Sequence, residues 1–186
     1  MANKIKQNLA YVLCAALGLL TFVFLAIPYV EAFVEGMGME MTEGLNGYKV
    51  ISDFGDADLG FFGTLSTIIQ VLVVVAAVAV LAYGVLGLLS AFDVAKFNFV
   101  KKDIASKALI AYAALNVLLL ISLIIVCIVN TEEVTEYEMT IKAGMKLQAG
   151  IFVTVIVAAG AVVADIFLGK KFAVVEETSE ESADAE

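Results

Sequence analysis

The chain has no histidine, no tryptophan and no arginine, and it holds two cysteines and one proline in 186 residues. Without histidine it lacks the commonest metal ligand and the commonest general base. All eleven of its basic residues are lysines, against 20 acidic ones, for a net charge of −9. That balance excludes a phosphate-binding surface, which needs a basic patch, so nucleic acid is not an expected partner. The cysteines, Cys14 and Cys127, both fall inside apolar stretches, and a disulfide-stapled ectodomain is excluded. The sequence has no H-E-x-x-H, Gly-rich phosphate loop, C-x-x-C or G-x-S-x-G. No catalytic, cofactor-binding or metal-ligating residue is assigned, and the chain is not read as an enzyme.

What is abundant is apolar sequence: 62% of residues are hydrophobic and the mean hydropathy is +0.99. It is concentrated in four stretches, 9–30, 68–89, 108–129 and 149–168. Each is about 20 residues, enough for a helix of 1.5 Å rise to cross a ~30 Å hydrocarbon core. The first three carry no charge. Helices apolar on every side cannot be covered by a water-soluble domain of this size. The expected fold is an all-α membrane protein, a four-transmembrane-helix up-down bundle occupying 1–172 as a single domain. Lys4 and Lys6 before the first stretch resemble the start of a signal peptide, but the apolar run exceeds the usual 7–15 residues, so it is read as a retained span.

Lysine placement sets the expected topology. Lys4 and Lys6, then Lys96, Lys101, Lys102 and Lys107, then Lys170 and Lys171 lie in three segments that alternation puts on one side. The other two loops, 31–63 and 130–148, hold only Lys49, Lys142 and Lys146. Both termini are therefore expected in the cytoplasm, with the protein in the plasma membrane. The acidic segment 173–186 has too little apolar content to fold alone and is expected to be a disordered tail.

The loop 31–63 is too long for a mere connector. Met37, Met39 and Met41 alternate with Gly38 and Glu40 at strand period, and Asn46-Gly47, followed by Tyr48, Val50 and Ile51, reads as the turn of a β-hairpin. In the second loop Thr135, Tyr137, Met139 and Ile141 alternate with Glu136, Glu138 and Thr140 as one half-buried strand. A lone hairpin is marginal in water, so strands from both loops are expected to join in a small extracellular sheet with its apolar face on the helix ends. Met37, Met39, Met41, Tyr48, Tyr137 and Met139 form the candidate partner surface, because methionine repacks readily. Asp53, Asp56 and Asp58 read as a solvated acidic turn, since the distal Glu of a calcium loop is absent.

Four spans, inner termini and an outer sheet together resemble the architecture of the claudin-like proteins. The resemblance is one of architecture only. That family's tryptophan-containing outer-loop signature with two cysteines has no counterpart here, and no functional residue is carried over.

Asp165 is the one ionisable residue within a span, and such residues are expensive in lipid. It falls about 6 Å of helix rise from the cytoplasmic end, where it could meet Lys101, Lys102 or Lys170. Tyr83 and Tyr112 lie at matching depth and could donate to it. With Asn116, near the middle of the third stretch, these residues make a candidate polar network. Gly18 and Gly160 at comparable depth suggest close helix packing, Thr67 and Gln70 are expected to reach interfacial water, and Pro28 marks a bend or stop. Gly84 and Gly87, three apart, are a weak dimerisation signal. Cys14 and Cys127 differ in depth by roughly 20 Å, beyond the ~7 Å of a disulfide, so both are expected as free thiols. The function expected is structural, accessory or partner-binding, exercised through the outer loops. Its partners would be the lipid bilayer and either another membrane protein or a second copy of the chain. The alternative is a small transporter or channel subunit with Asp165, Asn116 and Tyr112 lining a path.

Overall fold

The structure is a computed structural model that describes residues 8–36, 39–56, 59–136 and 139–183. Helix α1 spans Leu9–Phe24, strand β1 Pro28–Gly36, strand β2 Met39–Asn46 and helix α2 Gly47–Asp56. The long helices α3, Gly60–Ala91, and α4, Lys102–Val129, follow. Strands β3, Glu132–Glu136, and β4, Met139–Leu147, lead into helix α5, Ala149–Ala183. Among the described residues three helical segments, Gly60–Ala91, Lys102–Val129 and Ala149–Leu168, are long and apolar enough to cross a membrane. Many of their large apolar side chains are exposed, among them Ile68, Val75, Val117, Ile128 and Ile156.

The first apolar stretch departs from expectation. It was expected as a span over 9–30, but the helix is 16 residues, about 24 Å at 1.5 Å per residue. Proline explains the stop. Pro28 has no N–H to donate and disfavours helix at Ile27. The helix tightens before it, with Ala26 N donating to Val23 O at 3.1 Å and Ile27 N to Phe24 O at 2.9 Å. Tyr29 and Val30, read as the end of a span, belong instead to β1 and are fully buried. An apolar run alone does not tell a buried strand from a buried helix.

The four strands form one antiparallel sheet in the order β2-β1-β4-β3. Both inter-helical loops contribute, as expected: β1 pairs along 30–35 with β4 along 142–147. Two details differ from the sequence reading. Asn46-Gly47 is not a hairpin turn. Asn46 caps α2, its Oδ1 accepting from Lys49 N at 2.9 Å, so Val50 and Phe54 lie on one buried helical face rather than on a strand. The hairpin of the first loop lies earlier, between β1 and β2. The single strand expected in the second loop is itself a hairpin, β3 with β4. Helix α5 runs to Ala183, along the acidic segment. Its glutamates and alanines are good helix formers, and an existing helix extends without a new nucleus.

The chain forms two compact units. One comprises Met1–Leu20, Ala76–Ala113 and Val157–Glu186, the other Thr21–Val75 and Ala114–Ile156. In the first, α1 packs tightly on α3. A Cβ built on Gly84 would lie 2.4 Å from Ala15 N and 2.8 Å from Tyr11 O, and one on Gly18 2.6 Å from Leu81 Cβ. Gly84 and Gly87 thus serve packing within the chain, Gly87 lying under the Tyr11 ring. Gly160, paired with Gly18 in the sequence reading, has nothing within 4 Å of such a Cβ and is not a packing glycine among the described residues. The second unit holds the sheet. At its base Val30 and Leu45 are buried, α2 packs on β1 and β2, and Gly150 lets the start of α5 approach Pro28 O within 2.5 Å of a built Cβ.

Candidate functional site

Of the expected network of Asp165, Tyr83, Tyr112 and Asn116, Tyr112 and Asn116 lie one helical turn apart on α4 and both are buried. Tyr83 turns to the loop before α4. Its hydroxyl accepts from Lys101 N at 2.8 Å and faces the carbonyls of Lys101 and Phe99 at 3.2 and 3.3 Å, fastening that loop to α3. Tyr112 is buried in the same unit. Asp165 is half-buried and makes no hydrogen bond or ion pair with Lys101, Lys102 or any other described side chain. Its charge acts on Cys14 of α1, whose S–H donates to Ala105 O at 3.5 Å. Asn116 is buried in the other unit. Both cysteines are free thiols.

Polar residues gather instead in the interior of the sheet-bearing unit. Thr21, Ser66, Gln70, Asn116, Ser122 and Thr154 are all buried there. Tyr29 of β1 shares a hydrogen bond of 3.1 Å with Thr154 of α5, and Thr154 also donates to Gly150 O at 2.8 Å. Ser122 donates to Leu119 O. Ser66 and Gln70, one helical turn apart on α3, are different: neither the Ser66 hydroxyl nor either end of the Gln70 amide has a hydrogen-bond partner among the described residues. Gln70 was expected to reach interfacial water and is fully buried, with its amide beside Gly47. Thr67, expected beside it, bonds back to Gly63 O at 3.2 Å. Tyr29, Ser66 and Thr154 escaped the sequence reading. The legible signal was the i, i+4 spacing of Ser66 and Gln70 in an otherwise apolar helix.

Part of the candidate partner surface lies on the sheet. Directly paired residues on antiparallel strands share a face, and the registers place Met41, Val34, Ala143 and Glu132 in one row, Glu43, Ala32 and Met145 in the row toward the base, Met39 beside Gly36, and Ile141 beside Val134, a face apolar but for these glutamates. This apolar face is not covered by the helix ends, contrary to expectation. Only its base is buried, and Met39 and Met41 are 69% and 75% exposed. A depression of about 310 Å³ opens on it, walled by Ala32, Val34, Leu59, Asn130, Ala143 and Met145. Tyr48 stands apart on α2, its hydroxyl donating to Phe22 O at 3.1 Å. Met37 and Tyr137 lie outside the described residues, and Met139 begins β4.

The opposite face is polar. Lys146 pairs with Glu31 at 2.8 Å and Glu40 at 3.6 Å and sits 5.5 Å over the Phe33 ring. Gln148 donates to the second Glu31 oxygen at 2.6 Å. The hydrogen bond to Glu31, with the charges of Glu31 and Glu40, raises the Lys146 pKa above its usual 10.5. At the foot of β2, Lys49 bonds Glu43 at 2.7 Å, which raises its pKa likewise.

No protein-family model, no curated protein and no solved structure matches the chain.

Proposed function

We propose that the protein is a four-span integral membrane protein of the plasma membrane, with both termini cytoplasmic, whose outer sheet binds a protein partner in a structural or accessory role. The observation that carries this reading is the exposed apolar row of Val34, Met39, Met41, Val134 and Ile141, drawn from both loops onto one sheet face. An apolar face of this kind that stays uncovered in a folded chain marks an interaction surface, and its methionines suit it to repacking against a partner. The lysine asymmetry of the loops supports the orientation. The short α1 is accommodated as a span by snorkelling flanks and local bilayer thinning. The transporter alternative is the weaker one, because Asp165 has no ionic partner among the described residues.

Site-specific photo-crosslinking in cells tests the reading. A crosslinker at Met41 or Ile141 should yield a discrete protein adduct, and Val34→Glu should abolish it. Adducts to lipid alone at both positions would overturn it.

A further inference from the structure

The two edges of the sheet are not equivalent. In β1, β2 and β3 the charged residues are seven glutamates, whereas β4 carries the only two lysines in the strands. The lysine strand lies between β1 and β3, so each of these acidic strands has a basic neighbour. Lys142 stands opposite both Glu35 and Glu133, and Lys146 opposite Glu31. The outlying strand is β2. Its one neighbour in the sheet is the acidic β1, and Glu40 stands directly opposite Glu35, a destabilising like-charge pair. Lys146 reaches Glu40 only at 3.6 Å.

Among the described residues no strand pairs with the other side of β2. Residues 39–44 are exposed, and the strand has neither the proline nor the lysine with which edges are usually blunted. The opposite edge, β3, is only five residues long, and three of them are glutamate.

The chain itself shows what lies well beside an acidic strand here. In β4 the sequence Ile141-Lys142-Ala143-Gly144-Met145-Lys146-Leu147 puts its lysines on the polar face and Ile141, Ala143 and Met145 on the apolar one. From the edge of β2 that pairs with no described strand, its glutamates Glu40 and Glu43, which meet Lys146 at 3.6 Å and Lys49 at 2.7 Å but no lysine of the adjacent strand, and this internal template, we propose that the free edge of β2 is a docking site for an extended segment of a partner protein in which lysine or arginine alternates with apolar residues. Main-chain hydrogen bonds would add the segment as a fifth strand. Its basic side chains would face Glu40, and its apolar ones would continue the row of Met39 and Met41. A second copy of β2 is disfavoured as occupant, since it would bring Glu40 and Glu43 of two chains together. The proposal names the partner of the outer sheet and so rests on the reading above.

The test uses the full-length protein in neutral detergent and a fluorescein-labelled peptide of alternating valine and lysine, read by anisotropy. Three comparison peptides serve: alternating valine and glutamate, the valine-lysine peptide N-methylated on one edge, and a peptide copying 39–46 of this chain. Expected is saturable binding of the valine-lysine peptide, weakened at least tenfold by Glu40→Lys, less by Glu40→Gln, and unchanged by Glu133→Lys. The other three peptides should bind at least tenfold more weakly. Absence of binding overturns the proposal, as does equal binding by any comparison peptide or equal loss in Glu40→Lys and Glu133→Lys. Circular dichroism of each variant separates loss of the edge from loss of the fold. If the edge proves inert while crosslinks at Ile141 still capture a Val34-dependent partner, the outer-sheet reading stands and this inference alone falls.

Discussion

Gly84→Ala and Gly160→Ala are the same chemical change in different surroundings. At 84 the new methyl would meet the backbone of α1, with Ala15 N at 2.4 Å, and two helices must move apart. Overpacking of this kind costs about 1–3 kcal/mol. At 160 the space is open, and alanine's better helix propensity favours the change by up to about 1 kcal/mol. Thermal unfolding in detergent should therefore show a lower Tm for Gly84→Ala and an equal or higher one for Gly160→Ala. Equal losses would mean that the α1–α3 approach is wrong. Gln70 offers a second residue-scale test. Its amide is fully buried without a hydrogen-bond partner among the described residues, and an unsatisfied buried amide costs roughly 1–3 kcal/mol. Gln70→Met, close in size and apolar, should raise the Tm. A fall would mean that the amide is hydrogen-bonded in the membrane.

At the scale of elements, Asn46 distinguishes the observed cap from the hairpin turn its sequence suggested. Asn46→Ala should cost about 1 kcal/mol and speed hydrogen exchange at the amide of Lys49, which Asn46 Oδ1 accepts. Asn46→Asp should preserve both. Unchanged exchange at Lys49 in Asn46→Ala would count against the cap. The ion pairs of the sheet carry a pH signature. Lys146 has its pKa raised in the folded protein. Its contribution is therefore complete below the unfolded value near 10.5 and is lost as pH rises through the higher folded value. The stability gap between the wild type and Lys146→Gln should stay constant from pH 7 to about 10 and close above it. A gap that widened with pH would contradict the pairing.

The same elements show what the sequence could and could not reveal. Apolar runs of spanning length and strand-period alternation in two loops were legible, because they depend on local pattern. The end of α1 was half legible: Pro28 announced a stop, but Tyr29 and Val30 are as apolar in a buried strand as in a span. Asn46-Gly47 misled because asparagine serves both turns and caps, and only the helix that follows decides between them. The polar interior stayed hidden for a different reason. In helices apolar all round, no periodicity marks the face that turns inward, so nothing local joins Tyr29 to Thr154 or buries Gln70. Asp165 drew attention by its charge, which reveals cost but not partners.

At the scale of the whole molecule, the account joins two claims: the apolar helices cross a membrane, and the sheet built from both loops stands on the outer side, where its uncovered face can meet a partner. Two successive crossings, α3 and α4, return the second loop to the side of the first, so the pairing of β1 with β4 requires both of these helices to span and is indifferent to α1. The free state of both thiols allows a direct experiment. In a Cys14→Ala, Cys127→Ala background, single cysteines placed by Met41→Cys, Ile141→Cys and Lys96→Cys are exposed to a membrane-impermeant maleimide on intact cells. The account predicts rapid labelling at 41 and 141, and labelling at 96 only after permeabilisation. Labelling of 41 and 141 from opposite sides, or of 96 from outside, would contradict it.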